Sequence, residues 1–331
     1  MSAWTALSSH WQQASLVDAV AAHSHSLFLD GPLSSALLLF FYLSDGSDAA
    51  SGGVWAVGSA EHGELGVGAA VVASSGPSVR HAVRVAGALA HVRVVRLASR
   101  LTHCLALDAH GSLWAWGSHL HRQLGLPLDA AAAYEPMQVP LSRPVIAAAA
   151  GAFHSLALDD QGTVWAWGAN RRGQLGLGSA ASVVAMPTRV PMEKLALTPD
   201  ERIVDVHCGH EFSALRSDRG RLWLTGCNAL GQLALSQLPP PPLQREFVAV
   251  QRVAPVAAVS LGYAHVLAAC HGEQEGVWGW GSGTEHQLGP QRAVLHEPTH
   301  LLALPPRALV TLSAGETHSL VMVEEEQEQR V

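Results

Sequence analysis

The chain has 331 residues, of which 48% are hydrophobic and 14% are charged, and this balance excludes an intrinsically disordered protein. The net charge of −7 and the single lysine, Lys194, exclude a broad polyanion-binding surface and a lysine-rich tail for nucleic acid or membranes. The four cysteines are far apart and form no C-x-x-C pair, so we expect neither a zinc site nor a disulfide framework.

The N-terminal region contains irregular copies of a repeat that becomes regular further along the chain. Ser2–Ser8 (SAWTALS) is a degenerate copy of a Trp-containing segment, and Ala22–Asp30 (AHSHSLFLD) is a copy of a His-containing segment. In the insertion Asp30–Gly53 that follows, the apolar run Leu37–Leu43 is either a hidden strand or an exposed contact patch, and we favour the strand. The most apolar stretch, Ala36–Leu43, is shorter than the roughly 20 residues of a transmembrane helix, so we expect no membrane association.

Twelve-residue segments that begin with Trp recur at spacings of 51 to 59 residues. They are Trp55–Gly66 (WAVGSAEHGELG), Trp114–Gly125 (WAWGSHLHRQLG), Trp165–Gly176 (WAWGANRRGQLG), Trp223–Ala234 (WLTGCNALGQLA) and Trp278–Gly289 (WGWGSGTEHQLG). His-containing or related segments alternate with them: Ser99–Asp108, Ala150–Asp159, Gly209–Leu215, Gly262–Ala268 and Gly315–Val321. Turn signals such as Asp160-Gln161-Gly162 separate the strand patterns, and Gly117 is typical of a close backbone approach. We predict four short antiparallel strands per unit and no helix of useful length.

Four-stranded units of this length bury both faces when they stack around a common axis, as in a β-propeller. Six units are visible, and a seventh is either absent or hidden in Leu29–Gly53 or Ala69–Val92. The chain begins with a Trp half and ends with the His half Gly315–Val323, so we predict that the two termini complete one blade and close the ring. The predicted fold is an all-β propeller domain of six or seven four-stranded antiparallel blades over residues 1–323, followed by an acidic tail over 324–331.

The repeat resembles that of the regulator-of-chromosome-condensation family. Val145–Gly178 matches the family pattern V-x-x-V-x-x-G-x-x-H-S-L-A-L-D-x-x-G-x-V-W-A-W-G-x-N-x-x-G-Q-L-G-L-G nearly throughout, and the resemblance extends over almost the whole chain. It implies a propeller that usually has seven blades. In Gly276–Gln291 (GVWGWGSGTEHQLGPQ), in repeat phase and in compact length, the chain is also similar to the fungal alpha-tubulin suppressor proteins and their secretion-regulating animal relatives.

The recurring His and Trp residues have a structural interpretation. A residue that returns once per unit is more simply a group that satisfies backbone partners where blades meet than a catalyst or a ligand. We therefore expect Trp114, Trp165, His103 and His154 to be mostly buried between blades. The chain has no nucleophile elbow, no phosphate loop and no convergent titratable site, so we predict no catalytic residue, no metal and no cofactor.

The variable central positions of the twelve-residue segments are the candidate binding residues. Because these turns occupy equivalent places in each unit, their side chains project from one rim, where binding residues are often found. Two turns gather cationic and imidazole side chains on an otherwise acidic chain, and we predict that they contact a protein partner: His119, His121, Arg122, Arg171 and Arg172. The alternative interpretation is a set of solvated turns.

These features predict a non-enzymatic, monomeric protein-interaction scaffold of the cytoplasm, and also of the nucleus, without direct nucleic-acid contacts. The subfamily resemblance implies a small zinc-ribbon partner protein, an electron carrier for diphthamide synthesis on elongation factor two and for wobble-uridine modification of transfer RNA with Elongator. The alternative, implied by the founding member of the family, is guanine-nucleotide exchange on a Ran-type small GTPase. A third hypothesis is an adaptor in an unrelated complex such as a ubiquitin ligase, because fold alone does not set function.

Overall fold

The structure is a computed structural model that describes residues 14–22, 38–45, 53–75, 78–235, 240–253, 255–272, 275–290, 293–305 and 308–324. Contacts divide the chain into two compact units. Unit 1 consists of Met1–Asp160, Trp167–Ala169 and Val183–Thr188, and unit 2 of Gln161–Ala166, Asn170–Ser182 and Arg189–Val331. The predicted single domain over 1–323 stays a prediction.

The first three sheets each have four strands, hydrogen-bonded in chain order. The first contains β1 (Ala14–Ala22), β2 (Leu38–Asp45), β3 (Gly53–Ser59) and β4 (Ser78–Arg84). The second contains β5 (Val94–Ser99), β6 (His103–Asp108), β7 (Leu113–Ser118) and β8 (Ala132–Gln138). The third contains β9 (Val145–Ala150), β10 (His154–Asp159), β11 (Val164–Ala169) and β12 (Val183–Arg189).

Two further four-stranded sheets and a two-stranded sheet follow in the described residues. The fourth contains β13 (Ile203–Cys208), β14 (Phe212–Ser217), β15 (Leu222–Cys227) and β16 (Leu243–Ala249). The fifth contains β17 (Val256–Leu261), β18 (His265–Cys270), β19 (Gly276–Ser282) and β20 (Val294–Leu302). The last contains β21 (Leu309–Ala314) and β22 (Ser319–Glu324). The prediction of an all-β fold with four-stranded antiparallel sheets is confirmed.

Burial falls from the middle strands of a sheet towards its fourth strand. Every residue of β6, β10 and β18 is buried, which explains why these strands are rich in Leu, Ala and Val instead of alternating with charges. The fourth strand β12 has no buried residue. Apolar clusters join neighbouring sheets, one through Leu65 and Trp116 and another through Leu233 and Trp280. The core therefore lies between successive sheets.

Gly117 allows two strands to approach each other closely. It pairs with His103 across β6 and β7, and its φ of +100° is a conformation that side chains disfavour. A Cβ at this position would lie 2.4 Å from the carbonyl oxygen of Thr102. The close backbone approach that the sequence predicts at this glycine is confirmed.

The N-terminal sheet tests two expectations about the irregular stretches. Leu37–Leu43 contributes to β2, which pairs with both β1 and β3, so the predicted strand is confirmed. The continuous apolar run of β2 fits this position in the middle of a sheet. Ala69–Val92 is no hidden blade: it contains helix α1 (Ala69–Ser75), the fourth strand β4 and a 3₁₀ helix.

Other terminal predictions lie outside the described residues. Ser2–Ser8 and the tail after Glu324 are not among them, and neither is most of Ala22–Asp30. Gly315–Val323 does form the loop before β22 and most of that strand, which pairs with β21. Ring closure and the number of blades stay predictions. A second 3₁₀ helix, Met192–Leu195, connects β12 to β13, so the described helical turns all lie in connections between strands.

Candidate functional site

In the third and fourth sheets, the turn between the third and fourth strands is held by the Asn at its start and by its consensus Gln. In the third sheet, Oδ1 of Asn170 accepts the amide of Leu175 (3.2 Å), and Nδ2 donates to the carbonyl of Ala181 (3.0 Å). Oε1 of Gln174 accepts the amide of Arg172 (2.9 Å). The fourth sheet repeats these bonds, with Asn228 accepting from Leu233 (3.0 Å) and Gln232 accepting from Leu230 (2.9 Å). The consensus Asn and Gln of these two turns therefore bond the backbone of their own turns.

The main-chain carbonyl of the consensus Gln, or of Glu64 in the first turn, accepts bonds from the following sheet. In unit 1, the carbonyl of Gln123 accepts the indole N–H of Trp167 and the hydroxyl of Ser155, each at 2.8 Å. A carbonyl with two such donors has both lone pairs satisfied. The same link recurs within each unit, from Trp116 to Glu64 (2.8 Å) and from Trp280 to Gln232 (3.0 Å). The Trp and Ser of the repeat thus lock neighbouring sheets together.

The repeat histidine His103 joins this network as a neutral donor. Nε2 of His103 lies 2.9 Å from Oγ of Ser155. Because the Ser155 hydroxyl already donates its proton to Gln123, the histidine nitrogen must be the donor of this bond. Burial, followed by the nearby His119, lowers the pKa of His103 to about 3, so the ring is neutral near pH 7. The prediction was that the repeat histidines satisfy backbone groups, whereas the ring of His103 bonds the hydroxyl of a neighbouring strand. His265 and Ser319 repeat the contact at 3.0 Å.

The structure corrects the expected burial of the Trp pairs. His103 and His154 are fully buried, as predicted, but Trp114 and Trp165 are partly exposed. The second Trp of each pair is the buried one, because its indole enters the preceding turn; the Nε1 of Trp167 would lie 2.7 Å from a Cβ at Gly125. The Trp114 indole instead donates to Asp108 (3.0 Å) in the neighbouring hairpin.

Asp108 is a turn former. Its Oδ1 accepts the amides of His110 and Ser112, each at 2.8 Å, while Oδ2 accepts from Trp114. Burial alone would raise the pKa of Asp108, but the donors around the carboxylate outweigh it and lower the pKa below its usual value. This carboxylate is therefore engaged in local structure and is not a candidate acid or base.

The predicted residues in the turn of the second sheet (the second turn), which belongs to unit 1, differ in accessibility. His119 takes the place of the consensus Asn and is only 2% exposed, with its Nδ1 accepting the amide of Leu124 (3.4 Å). Burial, and then Arg122, lowers the pKa of His119. His121 is half-buried with its ring edge against Phe153 (4.7 Å between centroids), and the Arg122 guanidinium donates to a nearby carbonyl. His119 is thus placed to support the turn, and the other two present part of their surface.

The turn of the third sheet (the third turn), which belongs to unit 2, carries two exposed arginines. Arg171 and Arg172 are both exposed, and Nε of Arg172 lies 3.3 Å from Oε2 of Glu211. The structure therefore places His119, His121 and Arg122 on one turn and Arg171 and Arg172 on another.

Leu120 lies in the predicted turn His119–Arg122 but is not among the named candidate residues, and it is 64% exposed at the tip of this turn. Its signal was an apolar residue at a position where other turns carry Glu61 and Arg171.

The described residues contain no group of three or more His, Cys, Asp or Glu side chains that could hold a metal ion. The four cysteines are buried and unpaired with one another, and burial raises the pKa of Cys270 to about 12. None of the helices in the described part of the chain has the length and apolar character needed to cross a membrane.

Solved structures of other proteins share the fold of this chain. Prp20p from Saccharomyces cerevisiae is similar with a TM-score of 0.73 and 19% identity over 99% of this chain and 72% of its own. Human WBSCR16 is similar with a TM-score of 0.71 and 17% identity over 87% of this chain and 70% of its own. At such identities the likeness shows the fold.

Protein relatives match at higher identity over shorter segments. Protein RCC2 of Homo sapiens is 38% identical over 151 residues, which are 44% of this chain and 28% of RCC2. The RCC1 domain-containing protein RUG3, mitochondrial, of Arabidopsis thaliana is 35% identical over 172 residues, 49% of this chain and 37% of RUG3. The chain thus spans less than two fifths of the length of these relatives. The family model of the RCC1-like domain matches residues 48–321, and the chain therefore belongs to the RCC1-like domain family.

Proposed function

We propose that this chain is a non-enzymatic protein-interaction scaffold whose partner binds the exposed residues of the variable turns. One observation carries the proposal: the consensus Asn, Gln, Trp and Ser residues are engaged in holding turns and sheets, while the positions between them are exposed or partly exposed. Arg171 and Arg172 in the third turn and Leu120 in the second are exposed positions of this kind. Residues on loops of a rigid scaffold are the usual carriers of binding.

The chemistry of the third turn favours an acidic partner. Arg171 and Arg172 are adjacent cations on a chain with a net charge of −7, and Glu211 neutralises part of the charge of Arg172. Such exposed charges attract an oppositely charged protein over a distance and raise the association rate more than they tighten the bound complex. We therefore assign Arg171 and Arg172 to the encounter step, with His121 and Arg122 in the same role on the second turn.

We further propose a small zinc-ribbon protein as the partner, acting in diphthamide synthesis and in wobble-uridine modification with Elongator. The support is the similarity of Gly276–Gln291 to the alpha-tubulin suppressor proteins. In this proposal the chain is a monomer that works in the cytoplasm and the nucleus.

The second candidate function is guanine-nucleotide exchange on a Ran-type small GTPase. The observation that favours it is the fold shared with Prp20p, whose structure was solved together with a study of its binding to Gsp1p and histones. Release of a fluorescent guanine nucleotide from a purified Ran-type GTPase tests this candidate directly. Acceleration of release by the chain would replace the scaffold proposal with an exchange function.

Charge reversal of the third turn tests the scaffold proposal. The partner is first identified by pull-down and mass spectrometry, and its association with the double variant Arg171→Glu/Arg172→Glu is followed by stopped-flow or surface plasmon resonance. The matched control is Arg189→Glu/Arg219→Glu, which changes the net charge equally at exposed positions away from the turn. Arg189 ends β12 and Arg219 lies in the hairpin between β14 and β15.

We expect the turn variant to associate about tenfold more slowly at low salt, with the difference shrinking as salt is added. The control variant should associate at nearly the wild-type rate. The exposed pair between Arg172 and Glu211 contributes less than about 1 kcal/mol, so both variants should melt close to wild type. Equal association rates for the turn variant and the wild type would place the partner elsewhere.

A further inference from the structure

The first strands of four successive sheets share an extra residue at their second position. The pairing of β5 with β6 skips Val95, and that of β9 with β10 skips Ile146. The fourth and fifth sheets skip Val204 and Ala257 in the same way. A β-bulge of this kind turns a side chain out of the regular alternation of the strand. The residue at the bulge is therefore presented separately from the core face.

In unit 1 the bulge residues are large, aliphatic and exposed. Val95 is 40% exposed and Ile146 is 45% exposed. The fifth sheet forms the same bulge with Ala257, so the fold itself does not require a large side chain there. The exposed aliphatic surface at Val95 and Ile146 thus has no explanation in the packing of the sheets.

Exposed basic residues lie on the same segments as these two residues or on segments bonded to them. Arg93, Arg96, His110 and Arg143 are all exposed. Backbone bonds hold the segments that carry them together: the amide of Ala109 donates to the carbonyl of Arg93 (2.9 Å), and the amide of Val145 donates to that of Gly111 (2.8 Å). We call this set the bulge surface: Arg93, Val95, Arg96, His110, Arg143 and Ile146.

The charge of the bulge surface is also a departure from the repeat. The position of Arg96, directly after the bulge, is occupied by Ala147 in the third sheet and by Ala258 in the fifth. The neighbouring carboxylate of Asp108 is engaged by its own hairpin, which leaves Asp160 as the exposed acidic residue of this region within the described residues. Positive charge is therefore concentrated here on a chain that is acidic as a whole.

Within unit 1, the bulge surface lies at the opposite end of the strands from the variable turn at His119. Arg93 precedes β5, His110 follows β6 and Arg143 precedes β9, whereas the turn at His119 follows β7. In an antiparallel sheet the start of the first strand and the end of the third lie at opposite ends. A ligand of the bulge surface is therefore different from one bound by the second turn.

We propose that the bulge surface binds an acidic protein segment that carries aliphatic side chains. The arginines pair with its carboxylates, and its aliphatic side chains cover Val95 and Ile146. Nucleic acid is the less suitable ligand, because phosphates leave the two aliphatic side chains without a partner and a duplex would meet a net charge of −7 beyond the patch. Mixed apolar and charged contacts of this kind are typical of the centre and rim of protein interfaces.

Fluorescence anisotropy with defined probes tests this proposal. The first probe is a fluorescein-labelled peptide in which Leu alternates with Glu and Asp, and the second is the same peptide with Ser in place of Leu. A labelled DNA duplex is the third probe. The variants are Val95→Ala/Ile146→Ala and Arg96→Ala. The fifth sheet carries Ala257 and Ala258 at the equivalent positions, so alanine is compatible with the fold there. The matched control is Val204→Ala, at the equivalent bulge of the fourth sheet.

We expect the wild-type chain to prefer the Leu peptide over the Ser peptide, and the double variant to bind the Leu peptide about tenfold more weakly. Arg96→Ala should weaken binding and reduce its dependence on salt, while Val204→Ala should bind as wild type. The proposal is overturned if both peptides bind equally, if the duplex binds more tightly than the Leu peptide, or if the double variant binds as wild type.

Two further measurements keep the outcome clear. Thermal melts show whether each variant is folded. If a variant is not folded, the double variant Arg93→Glu/Arg143→Glu, with both substitutions at exposed positions, is used in its place. This double variant should lose binding of the Leu peptide, and unchanged binding would contradict the proposal. Arg171→Glu/Arg172→Glu should leave binding of the Leu peptide unchanged. If that variant loses its protein partner and still binds the peptide, the two surfaces act separately, so either proposal can fail without the other.

Discussion

Replacement of the two Trp residues in the third sheet tests which indole locks the sheets together. Trp167 is fully buried, fills the space beside Gly125 and donates to the Gln123 carbonyl at 2.8 Å, whereas Trp165 is partly exposed. Trp167→Ala should therefore lower the free energy of unfolding by about 4 kcal/mol, within the usual range for a buried aromatic side chain. Trp165→Ala should cost about 1–2 kcal/mol, because part of its ring already contacts water.

A third variant, Trp167→Phe, separates the hydrogen bond from the volume of the ring. The carbonyl of Gln123 keeps the Ser155 hydroxyl as a donor, so loss of the indole N–H leaves no unpaired acceptor. The expected cost of this variant is about 1–2 kcal/mol. Urea unfolding followed by far-ultraviolet circular dichroism gives the three values, provided that the m-value stays constant. If Trp165→Ala shifts the urea midpoint as far as Trp167→Ala, the order of burial within the Trp pair is wrong.

Two further predictions concern the buried network around His103. Ser155→Ala removes the acceptor that lies 2.9 Å from Nε2 of this fully buried ring, and should lower the free energy of unfolding by about 2 kcal/mol. Ser319→Ala, at the partly buried contact with His265, should lower it by less. Equal urea midpoints for the two variants would contradict this prediction. Because burial, and then His119, lowers the pKa of His103 from 6.5 to about 3, the unfolded chain binds a proton in this range that the folded chain does not. The free energy of unfolding should therefore fall as the pH falls from 6.5 towards 3, by up to about 1.4 kcal/mol per pH unit, and urea titrations of His103→Gln should show a flatter profile.

The structure of the repeat can be predicted well from the sequence, because most of the interactions that specify it join residues that are close together in the chain. The turn at Asn170–Gly176 is specified by side chains that bond amides a few residues away, and the pattern of β10 follows from burial on both faces. Such interactions depend on spacing along the chain, which the sequence displays directly. The expected strands, turns and close glycine contacts therefore appear where the repeat is regular.

The errors arise where the decisive contact is distant in sequence. Burial of Trp167 in preference to Trp165 depends on the turn at Gly125 in the preceding sheet, which no local pattern displays. The same holds for His119: its spacing marks it as a variable turn residue, but it occupies the buried place that Asn170 has in the next turn. The bulge at Val95 is likewise a property of strand pairing and not of the residues themselves.

The fourth sheet shows what the fold requires and what it leaves free. It carries Thr225 at the position of the buried Trp, and the threonine hydroxyl lies 3.0 Å from the carbonyl of Gly173 in the preceding turn. Ser213 still donates to the carbonyl of Gln174 at 2.7 Å. The link between sheets therefore needs a donor directed at the turn, and an indole is only one way to provide it. Within the described part of the chain, the side chains of Leu120, Arg171 and Ile146 form no comparable bond, so substitutions there should change the proposed binding surfaces without weakening the scaffold. This difference in constraint is the physical reason to seek specificity at Arg171, Leu120 and Ile146 and not at the repeated histidines.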